Sequence, residues 1–230
     1  MSLIAIVGKS GTGKSTSMGN IPSLNLIGLD PKETAIINVS GKDLPFKGWK
    51  ENYKGLFSAG GNYVVAADAI TIAKSIKYIS ESRPEIKNIV IDDAQYIMAF
   101  EFMNRAKETG YGKFADIGVN MTKVITAAKD SREDLKVYFL WHPEQDKETG
   151  FKMKTIGNMV DSYLTLEGLF TVILYTSVSK GDNNKIKYEF VTNNDGFMPA
   201  KSPVGMFSEI YIPNDLGFVS KQIDAYNSGE

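Results

Sequence analysis

Eight residues near the start of the chain have the types and spacing of a phosphate-binding loop. The segment Gly8-Lys9-Ser10-Gly11-Thr12-Gly13-Lys14-Ser15 fits the pattern G-x-x-x-x-G-K-[ST] and directly follows an apolar run. Its glycines allow a tight turn in which successive backbone N–H groups point at one anion. Lys14 would neutralise phosphate charge during catalysis, and Ser15 offers a hydroxyl to Mg²⁺. The segment, continued by Thr16, therefore predicts a site for the phosphates of a nucleotide.

An acidic pair ends a second apolar run, Ile89-Val90-Ile91-Asp92-Asp93. In P-loop NTPases the acid that ends such a strand holds Mg²⁺ and its water shell, so Asp92 is a predicted metal ligand together with Ser15. Asp93 has two open interpretations: it is the general base that polarises the attacking water, or it caps the helix that begins near Gln95. Asp43, just past another predicted strand, is the alternative base.

His142 is the only histidine of the chain and directly follows the apolar run 137–141. If that run is a strand between the loop strand and the Asp92 strand, His142 emerges beside the terminal phosphate and can sense its loss during catalysis. A strand-terminal histidine that is hydrogen-bonded locally before Pro143 is the other interpretation. With no cysteine and one histidine, a transition-metal site is not expected.

The hydrophobic pattern alternates between strands and helices, which predicts an α/β fold with a mainly parallel sheet and helices on both faces. Predicted strands cover residues 3–7, 34–39, 88–92 and 137–141, and predicted helices cover residues 68–82, 95–107 and 116–129. A further helix is expected to start at Lys14 and reach about Asn20, where its dipole would favour an anion. Runs 170–178 and 185–192 predict a C-terminal β-hairpin with Ile186, Tyr188 and Phe190 on its inner side.

Composition limits the remaining possibilities. The 230 residues contain no linker-like stretch, so a single domain over residues 1–230 is expected. The 26 basic and 27 acidic residues nearly cancel, which argues against a strongly basic nucleic-acid footprint. The lack of cysteine favours a cytoplasmic protein, and no apolar stretch approaches the ~20 residues of a membrane span.

Arginine and lysine usage separates subclasses of nucleotide-binding protein. The three arginines, at 83, 105 and 132, disfavour small-molecule kinases and AAA+ machines, which place several arginines around phosphates. No N-K-x-D motif supports a GTPase. The second half of the chain is instead rich in lysines that a neighbouring subunit could use, at positions 152, 154, 180, 185, 187 and 201. Lys9 occupies the signature position of MinD/ParA-like ATPases, but Ser10 departs from their pattern, so Lys9 is either a tolerated loop residue or a signature lysine.

Beyond the two nucleotide motifs, residues 31–39, 141–144, 167–172 and 200–203 resemble phage-encoded RecA-like ATPases, and the resemblance covers most of the chain. The resemblance implies a RecA-like P-loop NTPase core with central strand order 5-1-4-3-2. It also implies ATP and Mg²⁺ as cofactors, the roles given above to Lys14, Ser15, Asp92 and His142, and a homo-oligomer. Some phage proteins of this kind anneal single-stranded DNA during recombination, which would place the chain in the cytoplasm of the host.

Two segments carry residues suited to single-stranded DNA. Aromatic rings can stack on bases and cations can meet phosphates, and the segments offer Arg105, Lys107, Tyr111, Lys113 and Phe114 in one, and Lys152 and Lys154 in the other. An ordinary loop between two helices, with Phe114 packed into the core, is the alternative for the first segment. The sequence thus predicts an Mg²⁺-dependent ATPase coupled to single-stranded DNA. The alternatives are a nucleotide-dependent switch that binds a protein and, less well supported, a small-molecule kinase.

Overall fold

The computed structural model of the chain describes residues 2–146, 150–157, 165–181 and 184–229. The strands are β1 (Ser2–Val7), β2 (Thr34–Asn38), β3 (Tyr63–Val65), β4 (Asn88–Asp92), β5 (Lys136–Trp141), β6 (Pro143–Asp146), β7 (Gly150–Met153), β8 (Val172–Lys180), β9 (Ile186–Val191) and β10 (Tyr211–Pro213). The helices are α1 (Trp49–Asn52), α2 (Ala69–Ser82), α3 (Tyr96–Asn104), α4 (Gly112–Lys129) and α5 (Leu216–Ser228).

Eight strands form one sheet in the order β10-β9-β8-β1-β5-β4-β2-β3. The six strands from β8 to β3 are parallel, whereas β9 pairs antiparallel with β8 and β10 pairs antiparallel with β9. Strands β6 and β7 form a separate antiparallel pair immediately after β5. The prediction of an α/β fold with a large, mostly parallel central sheet is therefore confirmed.

Both faces of the sheet are covered, because successive side chains of a strand point to opposite sides. In β1, Leu3 and Ala5 pack on the face that α2, α3 and α4 cover. Ile4 and Ile6 pack on the opposite face, which α5 covers. This double coverage explains why the central strands are continuous apolar runs. The carboxyl ends of the parallel strands all lie at the same edge of the sheet.

The residues after the loop 8–15 do not form the predicted helix. They form a single 3-10 turn over Thr16–Met18, and Gly19 already has an extended backbone. Gly19 fits closely against a ring, since a Cβ there would lie 2.7 Å from the nearest atom of Phe46. Pro22 then begins another short turn. The expectation of a helix dipole at the loop is therefore wrong, because three residues align too few peptide groups to form one.

The C-terminal hairpin is present as β8 and β9, but its inner side differs from the prediction. Phe190 is buried, whereas Ile186 and Tyr188 are about half exposed. The side chains of β8 are buried from Val172 to Thr176 only, and those of β9 are buried only at Phe190 and Val191. The outer half of the hairpin therefore extends beyond the covering helices. Two of the predicted turn residues, at 182 and 183, lie outside the described residues.

Candidate functional site

Three parallel strands bring the chemically important residues of the sequence to one edge of the sheet. The loop 8–15 follows β1, the pair Asp92 and Asp93 ends β4, and His142 follows β5, which lies between the other two strands. Together with Lys14 and Ser15 they line a cleft of about 750 Å³. The strand order therefore places residues from distant parts of the sequence around one cavity.

The loop is held in a tightly turned shape by its glycines and by a neighbouring strand. Gly11 and Gly13 have φ angles of +78° and +91°, which other residues adopt only with strain. Gly8 is required for a different reason, because a Cβ there would overlap the side chain of Thr176 in β8. The Thr176 hydroxyl in turn donates to the Thr12 hydroxyl at 2.7 Å, and the latter donates to the Lys9 carbonyl at 2.7 Å.

The predicted loop residues divide into two groups. Some line the cleft directly, namely Ser10, Gly11, Gly13, Lys14, Ser15 and Thr16. Gly8, Lys9 and Thr12 instead form the contacts that shape the loop. The Lys9 ammonium also lies 5.2 Å from the ring centre of Phe151 in β7, so this lysine contacts the β6–β7 hairpin of its own chain.

Lys14 is a buried cation that the loop itself holds in place. Its Nζ donates to the carbonyl of Gly8 at 2.7 Å and to that of Lys9 at 3.1 Å. Burial lowers the pKa of Lys14 to about 8, although the nearby Asp93 and Asp92 carboxylates act in the opposite direction. An anion in the cleft would restore the environment that favours the charged ammonium.

Ser15 and Asp92 form the contact expected of a magnesium site. The Ser15 hydroxyl donates to Asp92 Oδ1 at 2.8 Å. Burial raises the pKa of Asp92 to about 6, while the Ser15 hydrogen bond favours the charged form. Among the described residues, no lysine, arginine or histidine lies within ion-pair distance of Asp92. The two side chains fit Mg²⁺, which prefers oxygen ligands and takes one or two from protein when phosphates and water supply the rest.

Asp93 is held between two basic side chains. It has a left-handed backbone with φ of +60°. Its Oδ2 accepts a hydrogen bond from Lys42 Nζ at 3.0 Å, and its Oδ1 lies 3.4 Å from His142 Nε2. Burial alone would raise the pKa of Asp93, but hydrogen bonds from His142, Lys42 and Ser40 outweigh it and hold that pKa well below its usual range. A carboxylate with two such partners is a weak proton acceptor.

The interpretation of Asp93 as a side-chain cap is wrong. Helix α3 begins at Tyr96 with Gln95 as its N-cap residue, and no side chain caps it. The buried Gln95 side chain instead accepts a hydrogen bond at its Oε1 from the His142 backbone N–H at 3.3 Å. Gln95 therefore helps to place His142 beside Asp93.

His142 joins the cleft to the β6–β7 hairpin. Its ring lies edge-on to the ring of Tyr96, with centres 6.4 Å apart. Its carbonyl accepts a hydrogen bond from the Lys154 N–H at 2.9 Å, and the Lys154 carbonyl accepts one from the Trp141 indole at 2.8 Å. A displacement of His142 would therefore be passed directly to the hairpin.

Several more residues line the cleft, and of these only Asp43 was predicted from the sequence as part of the nucleotide site. Lys42, Asp43 and Pro45 come from the loop after β2, and the remaining walls are formed by Leu24, Leu26, Ile186, Lys187, Tyr188 and Asn214. Lys42 and Lys187 bring cations to the cleft from the same chain. Asp43 was predicted only as the alternative base; it is exposed and lies 3.3 Å from Lys50 Nζ.

Asn214 and Asp215 lock the loop and one wall of the cleft to α5. The Asn214 amide donates to the Thr12 carbonyl at 3.1 Å. The buried Asp215 carboxylate caps α5, accepting from the Gly217 N–H at 2.8 Å, and also accepts from the N–H groups of Ile27 and Gly28 at 2.7 and 2.9 Å. The segment that carries Leu24 and Leu26 is thereby tied to the helix that covers one face of the sheet.

The residues predicted to meet DNA are mostly engaged within their own segments. Arg105 pairs with Glu101, Glu108 and Asp116 at 3.1, 2.8 and 2.7 Å. Lys113 lies in α4, 5.1 Å from the ring centre of Phe102.

Of the other aromatic and basic residues predicted to meet DNA, some contact neighbouring side chains and others are exposed. Phe114 also belongs to α4 and packs on Phe102 with ring centres 5.6 Å apart, while Tyr111 is exposed. Lys107 and Lys154 are exposed, whereas Lys152 pairs with Glu144 at 3.0 Å. This arrangement matches the interpretation of residues 105–114 as an ordinary connection between two helices.

Comparison with known proteins identifies no family. A scan of the sequence against protein-family models finds no match, and a search of curated proteins finds none either. Within the described ranges, no helix has both the length and the apolar character needed to cross a membrane.

Proposed function

We propose that this chain is a RecA-like P-loop ATPase that binds ATP with Mg²⁺ and hydrolyses it. The observation that carries the proposal is the 2.8 Å hydrogen bond between Ser15 and Asp92, which are 77 residues apart in sequence. It joins the phosphate-binding loop to a buried carboxylate for which the described structure offers no ion-pair partner. Burying such a carboxylate is costly for folding, and a bound metal ion would offset that cost.

Each end of the cleft has a chemistry that suits one part of ATP. The loop N–H groups and Lys14 would bind the phosphates, and Ser15 and Asp92 would hold Mg²⁺. Mg²⁺, when bound, neutralises charge on the phosphate oxygens. The apolar side chains of Leu24 and Tyr188, which are about half exposed, would cover the base.

A polar side chain must orient the attacking water, and a carboxylate of the cleft can do so. Asp93 is already bound by two basic groups, whereas the exposed Asp43 lines the same cleft and has a single exposed lysine near it. We assign the water-orienting role to Asp43. Asp93 then serves to position His142.

The β6–β7 hairpin supports a second candidate function, a nucleotide-dependent switch that acts on a protein partner. The hairpin is bonded to His142 through Lys154 and contacts the loop through Lys9 and Phe151. Loss of the terminal phosphate would thus shift a partly exposed hairpin without involving DNA. Coupling to single-stranded DNA remains a proposal that is carried by the sequence resemblance.

The test is an assay of phosphate release from ATP by the full chain, with Mg²⁺ and with the ion removed by chelation. We expect Mg²⁺-dependent release that is lost in Lys14→Ala and reduced in Asp43→Asn. Lys221→Ala, an exposed change on α5, is the matched control and should behave as the parent. Release that is equal in the parent and Lys14→Ala would contradict the proposal. Addition of single-stranded DNA distinguishes the two proposals. A faster release of phosphate would support coupling to DNA, and an unchanged rate would support the switch.

A further inference from the structure

The loop after β2 brings a second lysine into the cleft beside Lys14. The Lys42 ammonium lies 3.0 Å from Asp93 Oδ2 and 5.7 Å from the ring centre of Tyr96. Its side chain is 67% exposed, whereas that of Asp93 is only 10% exposed. Lys42 is thus the mobile member of this pair, because a long exposed side chain can change partners at little cost.

The backbone that carries Lys42 is fixed by a buried asparagine. The Asn38 amide donates to the Lys42 carbonyl at 2.6 Å and to the Tyr63 hydroxyl at 2.8 Å, and its Oδ1 accepts from the Gly41 N–H at 2.8 Å. Gly41 turns the chain with a φ of +70°. The loop therefore holds the backbone of Lys42 at the cleft, while its ammonium reaches Asp93 through a long, exposed side chain.

The charges around the loop balance before any nucleotide binds. Lys14 and Lys42 oppose Asp92 and Asp93, and all four line the same cleft. ATP carries one phosphate more than ADP, and that phosphate brings additional negative charge into the cleft. Lys14 is held at the loop itself, and Lys187, the third lysine of the described cleft, pairs with Glu189 of its own strand at 2.7 Å. Lys42 is therefore the cation best placed to meet this added charge.

We propose that Lys42 exchanges partners when ATP binds, leaving Asp93 and pairing with the terminal phosphate, and that this exchange lets the site distinguish ATP from ADP. The inference rests on the proposed function, because it takes the cleft to be the nucleotide site. Asp93 keeps His142 after the exchange and gains a free oxygen. Lys42 would then supply in cis the cation that the sequence suggested a neighbouring subunit would provide.

The experiment compares equilibrium affinities for a non-hydrolysable ATP analogue and for ADP, both with Mg²⁺, in the parent and in Lys42→Met. One lost charge-assisted hydrogen bond should lower the affinity for the ATP analogue about tenfold. The affinity for ADP should change by less than about twofold. Lys42→Arg, which keeps the charge, should retain most of the parent's preference.

Lys47→Met is the matched control, since Lys47 is an exposed lysine on the same loop and does not line the cleft. It should leave both affinities unchanged. Equal effects of Lys42→Met on the two ligands, or no effect on either, would overturn the inference. The parent is measured first. If the parent binds neither nucleotide, the proposed function itself is refuted. If the parent binds both and Lys42→Met has the same ratio of affinities for the ATP analogue and ADP, only the role of Lys42 is refuted.

Discussion

Replacing Asp92 by asparagine should stabilise the nucleotide-free protein at neutral pH. Asp92 is 6% exposed, and its one polar side-chain contact in the described structure is the Ser15 hydroxyl. Asparagine has nearly the same shape, and its carbonyl can still accept that hydrogen bond. The change therefore removes a buried charge while it keeps the packing.

The magnitude follows from the pKa of Asp92, which burial raises from 3.8 to about 6. Between these values the folded state retains a proton that the unfolded state has released, so stability falls as pH rises through this window. A difference of about two pKa units corresponds to about 3 kcal/mol lost above pH 6. Subtracting about 1 kcal/mol for the new amide without a full set of partners leaves a net gain of about 2 kcal/mol for Asp92→Asn at pH 7.5.

Urea unfolding of both proteins, without nucleotide and with metal ions chelated, measures this difference as a function of pH. The advantage of Asp92→Asn should be present at pH 7.5, shrink as the pH is lowered, and reverse near pH 4, where the cost of about 1 kcal/mol for the amide outweighs what remains of it. Asp43→Asn, at an exposed carboxylate of the same cleft, should change stability by less than about 0.5 kcal/mol. A variant that is less stable than the parent at pH 7.5, or a difference independent of pH, would refute the reasoning.

Three further predictions concern the loop and its supports. Binding of ATP should raise the pKa of Lys14 from about 8, so Lys14 should take up a proton when ATP binds near pH 8.5. Calorimetry in buffers of different ionisation enthalpy measures this uptake. It should fade by pH 6.5, where Lys14 is already protonated, and be absent in Lys14→Ala. Asp215→Ala should lower the free energy of unfolding by about 3 kcal/mol, because it removes a helix cap and leaves two loop N–H groups unpaired; a loss below about 1 kcal/mol would contradict this. Gly8→Ala should destabilise more than Gly11→Ala in the same urea assay. A Cβ on Gly8 overlaps Thr176, whereas one on Gly11 meets no atom within 4 Å and costs only the strain of a left-handed alanine, about 1–2 kcal/mol. The reverse order would be inconsistent with the loop geometry.

The positions of the loop 8–15 and of Asp92 could be predicted because both lie in short segments at the ends of apolar strands. Local signals for other elements were also present in the sequence. Gly19 and Pro22 stop the turn after the loop, and Leu216, Val219 and Ile223 have the spacing of the buried face of α5. Helix start and stop signals in the sequence therefore indicate both features.

Other parts of the site could not be predicted, because tertiary structure alone brings them together. Lys42 reaches Asp93 only because β2 pairs with β4, and Asn214 reaches the loop only because α5 packs under it. The alternating pattern of the hairpin was present, but it does not reveal where the covering helices end. Tyr188 therefore lies in the cleft wall instead of the core.

Equilibrium binding of ATP to the full chain tests the central claim most directly. Isothermal titration with Mg²⁺ should give one saturable site in the parent. In Lys14→Ala the affinity should fall by about 10- to 100-fold, the loss expected for hydrogen bonds from one buried cation. Equal affinity in the parent and Lys14→Ala, or no binding to the parent, would contradict the assignment of this cleft as a nucleotide site.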